Sequence, residues 1–478
     1  MLFNTWQFWG FLAVVLPLYW ALPFRWQNRM LIVASYFFYG CWNWRFLPLI
    51  AGSTLMDYWL GVWVASAQEP RSRKRLVAIS VVVNLALLGF FKYYGFFARE
   101  ADEFFARLGV PFGLPFWAIV LPVGISFYTF QSMSYVIDIA RGVGEPAKNF
   151  RDFALYVSFF PHLVAGPIMR SGNSENGVGL LKQIQAPRVY RDGDFQEGLY
   201  LVLLGLFKKV VIGDNMATLV NSVFQAPLAS LTGPECIVGV YAFALQIYAD
   251  FSGYSSIAQG VAKWMGIDLM VNFRMPYLAV NPSDFWRRWH ISLSTWLRDY
   301  VYISLGGNRR GRLFTYRNLM ITMILGGIWH GANWTFAAWG IYHGALLCAY
   351  RFVDRRGQDR SLHDYSFLGG AVRAFLLFQL VCVGWLLFRA ATIEQAWEMF
   401  RLAVTDFRIT PFARMIAESM VFYAVPLLVY EYWVEKRRDI TALVRADWKP
   451  RAAAYSYAML MLIFFPAPNV HEFIYFQF

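Results

Sequence analysis

Apolar runs near membrane-spanning length follow one another through most of the chain. They fall near 6–24, 30–44, 47–66, 76–98, 115–140, 152–169, 197–222, 236–262, 315–330, 332–352, 368–390, 418–434 and 452–467. A spanning helix needs about 20 apolar residues, and several of these runs are short or broken by Pro or Gly. The expectation is an all-α polytopic membrane protein with roughly ten to twelve membrane helices, some re-entrant or interfacial. Composition agrees. Charged residues are 15% of the chain and aromatics 19%, against about 25% charge in soluble proteins. Water could not cover so many rings without large exposed apolar patches. Disorder and a disulfide scaffold are both excluded.

The net charge of +13 sits between apolar runs, which fits anionic lipid rather than nucleic acid. Arg25, Arg29 and the Arg71–Arg75 cluster follow odd-numbered runs, placing the N-terminus outside and the loop at 67–75 in the cytoplasm. The start lacks the basic region and cleavage site of a signal peptide. Cys41, Cys236, Cys348 and Cys382 are far apart, have no metal-ligand spacing and read as small buried hydrophobes; no metal site is expected. No polar stretch is long enough for a separate domain, so residues 1–478 read as one.

Ionisable groups inside apolar runs are costly and raise functional questions. Asp57 and Lys92 read as paired or snorkelling groups, and Asp250 as a hydrogen-bond hub or a pocket wall. Pro122 and Gly124 interrupt a helix, and Ser126, Tyr128, Thr129 and Gln131 then supply hydroxyls and an amide, as where broken backbone is buried in protein or lines a wet cavity. Pro282 and Ser283 before Asp284 mark a helix start. From there Trp286, Trp289, Leu293 and Trp296 give one aromatic face, as on an amphipathic interfacial helix. A flexible basic turn follows, carrying Arg309, Arg310 and Arg312. His330 lies in a stretch nearly devoid of charge, beside small residues; if that stretch is helical, Asn333 and Trp334 lie one turn away on the same side. A shielded imidazole stays neutral and can serve as a base. On these residues alone, a satisfied core histidine fits as well.

Six segments together resemble the membrane-bound O-acyltransferase superfamily, particularly its bacterial alginate-acetylating branch. They are 121–131, Phe159-Phe-Pro-His-Leu-Val-Ala-Gly-Pro-Ile168, Tyr248-Ala-Asp-Phe-Ser-Gly-Tyr254, Asp284-Phe-Trp-Arg-Arg-Trp-His290, Trp329-His-Gly-Ala-Asn-Trp334 and the terminal 473–478. The resemblance implies a central catalytic funnel, His330 as the catalytic residue and His290 as its partner. It implies transfer of an acetyl group from a cytoplasmic donor, acetyl-CoA, toward an exported polysaccharide at the bacterial inner membrane. Oxyanion stabilisation falls to His290 or Asn333, substrate contact to Trp329 and Trp334, and donor phosphates to Arg309, Arg310 and Arg312. His162 and His343 lie within family motifs but receive no chemical step, and His363 and His471 read as structural. The chain has no sizeable exterior domain, so a periplasmic acetyltransferase partner and the polysaccharide synthesis and export machinery are expected. The competing readings are the same chemistry on cellulose, another exopolysaccharide or a cell-wall polymer, a transporter or flippase, and a non-catalytic scaffold. Broken helices suit the transporter, but no internal repeat is visible.

Overall fold

The computed structural model describes all residues except 111–112, 114–116, 118, 165, 174, 176, 355–359, 469–471 and 475–478. His471, Ala165 and the last four residues of the terminal motif therefore lie outside the described residues. The rest forms helices and connecting turns without a sheet, as the apolar runs predict. Four described helices are long and apolar enough to cross a membrane: Pro70–Arg107, Gly233–Trp264, Phe367–Arg389 and Pro411–Arg437. Most others are shorter or carry more charge. The Pro70–Arg107 helix leaves Val82, Leu85, Phe90 and Phe97 exposed along its length, an apolar surface that needs lipid to cover it.

The chain folds as two compact units, residues 1–198 with 258–270, and residues 199–257 with 271–478. In the first, the basic cluster expected in a loop is helical. Pro70 stands at the first turn, where its missing N–H costs nothing, and the helix takes in Arg71 to Arg75. Asp57 is paired, as expected: Ser80 Oγ donates to its Oδ1 at 2.6 Å and Asn84 Nδ2 to its Oδ2 at 2.9 Å. The break at Pro122 and Gly124 is real. Gly124 has φ +75° at the start of the Ile125–Ala140 helix, and a Cβ there would lie 2.5 Å from the Leu163 carbonyl. Both backbone conformation and space demand glycine. Gln131 Nε2 donates to the Tyr156 carbonyl at 2.6 Å, and its Oε1 meets His162 Nε2 at 2.9 Å. His162 is thereby held as a structural residue.

In the second unit a π-helical stretch, Phe207–Gly213, packs against the Gly233–Trp264 helix. Gly205 and Gly253 meet face to face; a Cβ on Gly205 would lie 2.6 Å from the Gly253 carbonyl. The π turn aims Lys209 Nζ at Asp214 Oδ1 and Asp250 Oδ1, both at 2.8 Å. Asp250 Oδ2 also accepts the Ile474 N–H at 2.7 Å, tying the C-terminal segment to the core. Asp250 is thus the hydrogen-bond hub rather than a pocket wall. Of the cysteines, Cys236 and Cys382 are buried, but Cys41 is exposed and Cys348 half-exposed, because the apolar runs holding them turn only one face inward.

Candidate active site

The aromatic-faced helix expected from residue 282 onward is two helices, Pro282–Arg288 and Ile291–Leu297. It starts where predicted: Asn281 caps it by accepting the Asp284 N–H at 2.8 Å. It breaks at His290, whose φ of +42° and ψ of +54° are left-handed. An L-residue with a bulky ring pays about 1–3 kcal/mol for that conformation, which survives only where the surroundings enforce it. Here the 271–275 segment does so. The Ile291 N–H donates to the Asn272 carbonyl and the Arg274 N–H to the Arg288 carbonyl, each at 2.9 Å. The expected aromatic face packs inside the protein, with Trp289, Leu293 and Trp296 buried and Trp286 half-buried. Their periodic face turns toward protein rather than lipid.

The left-handed kink turns the imidazole inward, where His290 is 1% exposed. Phe251 meets it edge-on with ring centroids 4.6 Å apart, and Phe273 stacks at 6.3 Å. The third ring is Trp329, at 6.1 Å. His330 follows at the C-terminal end of the Arg312–His330 helix and is 4% exposed. Trp329, Trp339 and Phe388 approach it edge-on at 5.0, 5.1 and 5.1 Å. The Trp329 indole therefore touches both predicted histidines, which 40 positions separate in sequence. Aromatic walls of this kind exclude water and lower the local dielectric, so a hydrogen bond or charge within them counts for more than in solution.

Glycines bring the second histidine to this place. The Arg312–His330 and Trp334–Val353 helices form a tight antiparallel pair. Gly327 lies against the Phe336 carbonyl and Gly340, with 2.3 Å between a hypothetical Cβ and that oxygen. At Gly331 the chain leaves the helix in an extended conformation. Asn333 and Trp334 are consequently not one helical turn from His330 on a common face. Asn333 caps the next helix, its Oδ1 accepting the Thr335 N–H and its Nδ2 donating to the Ala391 carbonyl. Trp334 is 57% exposed. Trp329 is buried between the histidines, whereas Asn333 and Trp334 lie at the helix junction.

Arg309, Arg310 and Arg312 are exposed at the other end of the His330 helix. Eighteen residues of helix separate Arg312 from His330, about 27 Å at 1.5 Å per residue. A different group of arginines lies closer along the chain. A cavity of about 560 Å³ is lined by Arg274, Asp284, Arg287, Arg288, His363 and Arg438 among others. Arg288, two residues before His290, bridges Asp284 Oδ1 at 2.8 Å and Glu435 Oε1 at 2.9 Å. His363 Nε2 meets the same Glu435 oxygen at 3.5 Å, which gives it a structural role. His343 is also structural: it packs against Trp339 and Trp286, and only the missing side chain of Gly384 leaves it room. Among the described residues, no three His, Cys, Asp or Glu side chains come together as a metal site. Sequence reasoning missed Asn272, Phe251, Trp339 and Phe388. Phe251 lay within a quoted motif, but nothing in the sequence pointed it or the others at the histidines.

These buried histidines in a helical membrane chain define a class. The model of the membrane-bound O-acyltransferase family matches residues 147–388, which include both histidines, and the chain belongs to this family. It is a membrane O-acyltransferase. Among its relatives, a probable alginate O-acetylase of Pseudomonas aeruginosa is 41% identical over 89% of this chain and 78% of its own length. A peptidoglycan O-acetyltransferase of Helicobacter pylori is 32% identical over 100% of this chain and 98% of its own. A teichoic acid D-alanyltransferase of Bacillus subtilis is 26% identical over 56% of this chain and 68% of its own.

Proposed function

We propose that the chain, acting as a single catalytic domain, takes an acetyl group from a cytoplasmic thioester, acetyl-CoA, and passes it across the inner membrane for O-acetylation of an exported polysaccharide, with alginate favoured. The observation that carries this reading is the pair of buried imidazoles sharing one indole, in a chain 41% identical to a probable alginate O-acetylase. His330 is the general base. It accepts the proton as the acceptor hydroxyl attacks the thioester carbonyl; a C–O bond forms, the C–S bond breaks, and the proton passes on to the leaving thiolate. A hydroxyl is a weak nucleophile without such a base, and a positioned base contributes about 10²–10⁴-fold. The arginine-lined cavity beginning two residues from His290 suits the anionic end of the donor better than the exposed 309–312 turn. The acceptor side is a periplasmic acetyltransferase working with the polysaccharide synthesis and export machinery.

The end-to-end match to a peptidoglycan O-acetyltransferase supports a second reading, in which the final acceptor is a cell-wall polymer. One experiment tests both. Cells carrying His330→Ala as their sole copy, at normal abundance, are compared with wild type for ester-linked acetate on exported polysaccharide and on peptidoglycan. The polymer that loses acetate identifies the acceptor. Full acetylation of both would remove His330 from the base role.

A further inference from the structure

His290 is held at a second point besides its backbone. Asn272 is 1% exposed, and its Oδ1 lies 3.2 Å from His290 Nδ1. The same oxygen accepts the Ser292 N–H at 3.2 Å and the Ser292 hydroxyl at 2.9 Å. On the other side of the amide, Nδ2 donates to Ser255 Oγ at 3.3 Å. A backbone N–H can only donate. The atom facing Ser292 N must therefore be the amide oxygen, which settles which way the Asn272 side chain points. An amide oxygen can only accept. Ser292 Oγ also lies 3.4 Å from that His290 nitrogen, but its proton goes to Asn272 Oδ1 at 2.9 Å, so the nitrogen facing the amide oxygen carries its own hydrogen.

We propose that Asn272 is a positioning residue that fixes neutral His290 as the Nδ1–H tautomer, so that Nε2 presents a lone pair to the reaction. The inference rests on the acyl-transfer reading for its chemical meaning but on geometry alone for the tautomer. It decides between the roles open to His290. In this form Nε2 cannot donate to a developing oxyanion; it can accept a hydrogen bond or a proton from a neighbouring group, with His330 as the base for the acceptor hydroxyl. It also gives the strained backbone at His290 a purpose: the left-handed turn faces Nδ1 toward Asn272. The partner that orients a catalytic imidazole is commonly a carboxylate. A neutral amide orients the ring in the same way without adding a negative charge that would favour the imidazolium.

The test is magic-angle-spinning NMR of the full chain in lipid bilayers, with ¹⁵N-histidine labelling and His290→Gln to assign the His290 signals. The wild type is expected to show His290 Nδ1 protonated and Nε2 unprotonated at a pH where the ring is neutral. Asn272→Leu is expected to shift His290 toward Nε2–H or a mixture, and Asn272→Asp to keep Nδ1–H. A wild-type spectrum with Nε2 protonated overturns the proposal. The kinetic arm uses radiolabelled acetyl-CoA as the probe donor. Asn272→Leu is expected to lower kcat by about 10²-fold, the lower end of a positioned base's contribution, with KM unchanged. Asn272→Asp is expected to restore turnover, with the pH profile displaced to higher pH because a carboxylate favours the imidazolium. An unshifted profile in a folded Asn272→Asp variant counts against the proposal. Wild-type turnover in His290→Gln would refute the functional reading of His290 while leaving the tautomer result standing.

Discussion

Gly327 offers a way to move His330 without touching it. The residue lies three positions before His330, facing the neighbouring helix. In Gly327→Ala the new methyl would begin 2.3 Å from the Phe336 carbonyl and 3.0 Å from Gly340 Cα, where an ordinary contact needs 3.4 Å. The nearest atoms are backbone, so no flexible side chain can yield. The two helices must separate by about 1 Å, and His330, less than one turn further on, goes with its helix. Overpacking of this kind costs about 1–3 kcal/mol of stability. A displacement of ~1 Å at the reacting group costs about 10²-fold in rate. The assay is acetyl transfer by purified protein in detergent, together with thermal unfolding followed by tryptophan fluorescence. Gly327→Ala is expected to insert and purify, to unfold at lower temperature, and to turn over about 100 times more slowly. Gly10→Ala, where a Cβ meets nothing within 4 Å, controls for loss of a membrane glycine and should match wild type. Wild-type turnover and melting in Gly327→Ala would refute the claim that this helix contact sets the position of His330.

Other perturbations separate structural networks from chemistry. Asn84→Leu removes one of the two donors to the buried Asp57 carboxylate; it should lower stability by about 1–3 kcal/mol and leave turnover per folded molecule unchanged, as read by denaturation and specific activity. Lys209→Met leaves Asp214 and Asp250 without their shared cation and should destabilise by about 3–5 kcal/mol. It should also loosen the segment at Ile474, which carboxypeptidase trimming would detect. Arg274→Ala, in the lining of the arginine-lined cavity, should raise KM for acetyl-CoA about fivefold, the ~1 kcal/mol of an exposed ion pair, with kcat unaffected. Added salt should narrow that difference between variant and wild type.

The sequence revealed some parts of this site and concealed others for physical reasons. Strong local chemistry is legible: Pro282 and Ser283 before Asp284 mark a helix start, and Pro122 with Gly124 marks a helix interruption, which the structure places just ahead of Ile125. His330 is legible because its uncharged surroundings make a histidine conspicuous, and His290 because the charged segment Asp284–His290 resembles a family motif. What periodicity could not show is a break that tertiary contacts impose. Trp286, Trp289, Leu293 and Trp296 keep helical spacing straight through His290, yet the 271–275 segment forces that residue into a left-handed conformation no local signal announces. The same limit hid the turn at Gly331, which removes Asn333 and Trp334 from the face of His330. The arginines at 309–312 looked adjacent in sequence, but a straight helix converts 18 residues into about 27 Å. Asn272 carried no signal, because its role depends on three hydrogen bonds that exist only in the folded chain.

The central claim is that His330 draws an acetyl group from the cytoplasmic side and delivers it outward. Sealed inside-out membrane vesicles given radiolabelled acetyl-CoA test it most directly, with the acceptor machinery enclosed in the lumen and right-side-out vesicles run in parallel. The account predicts lumenal, ester-linked label in inside-out vesicles with the wild-type chain, and none with His330→Ala or in right-side-out vesicles. Equal lumenal label with His330→Ala would contradict it.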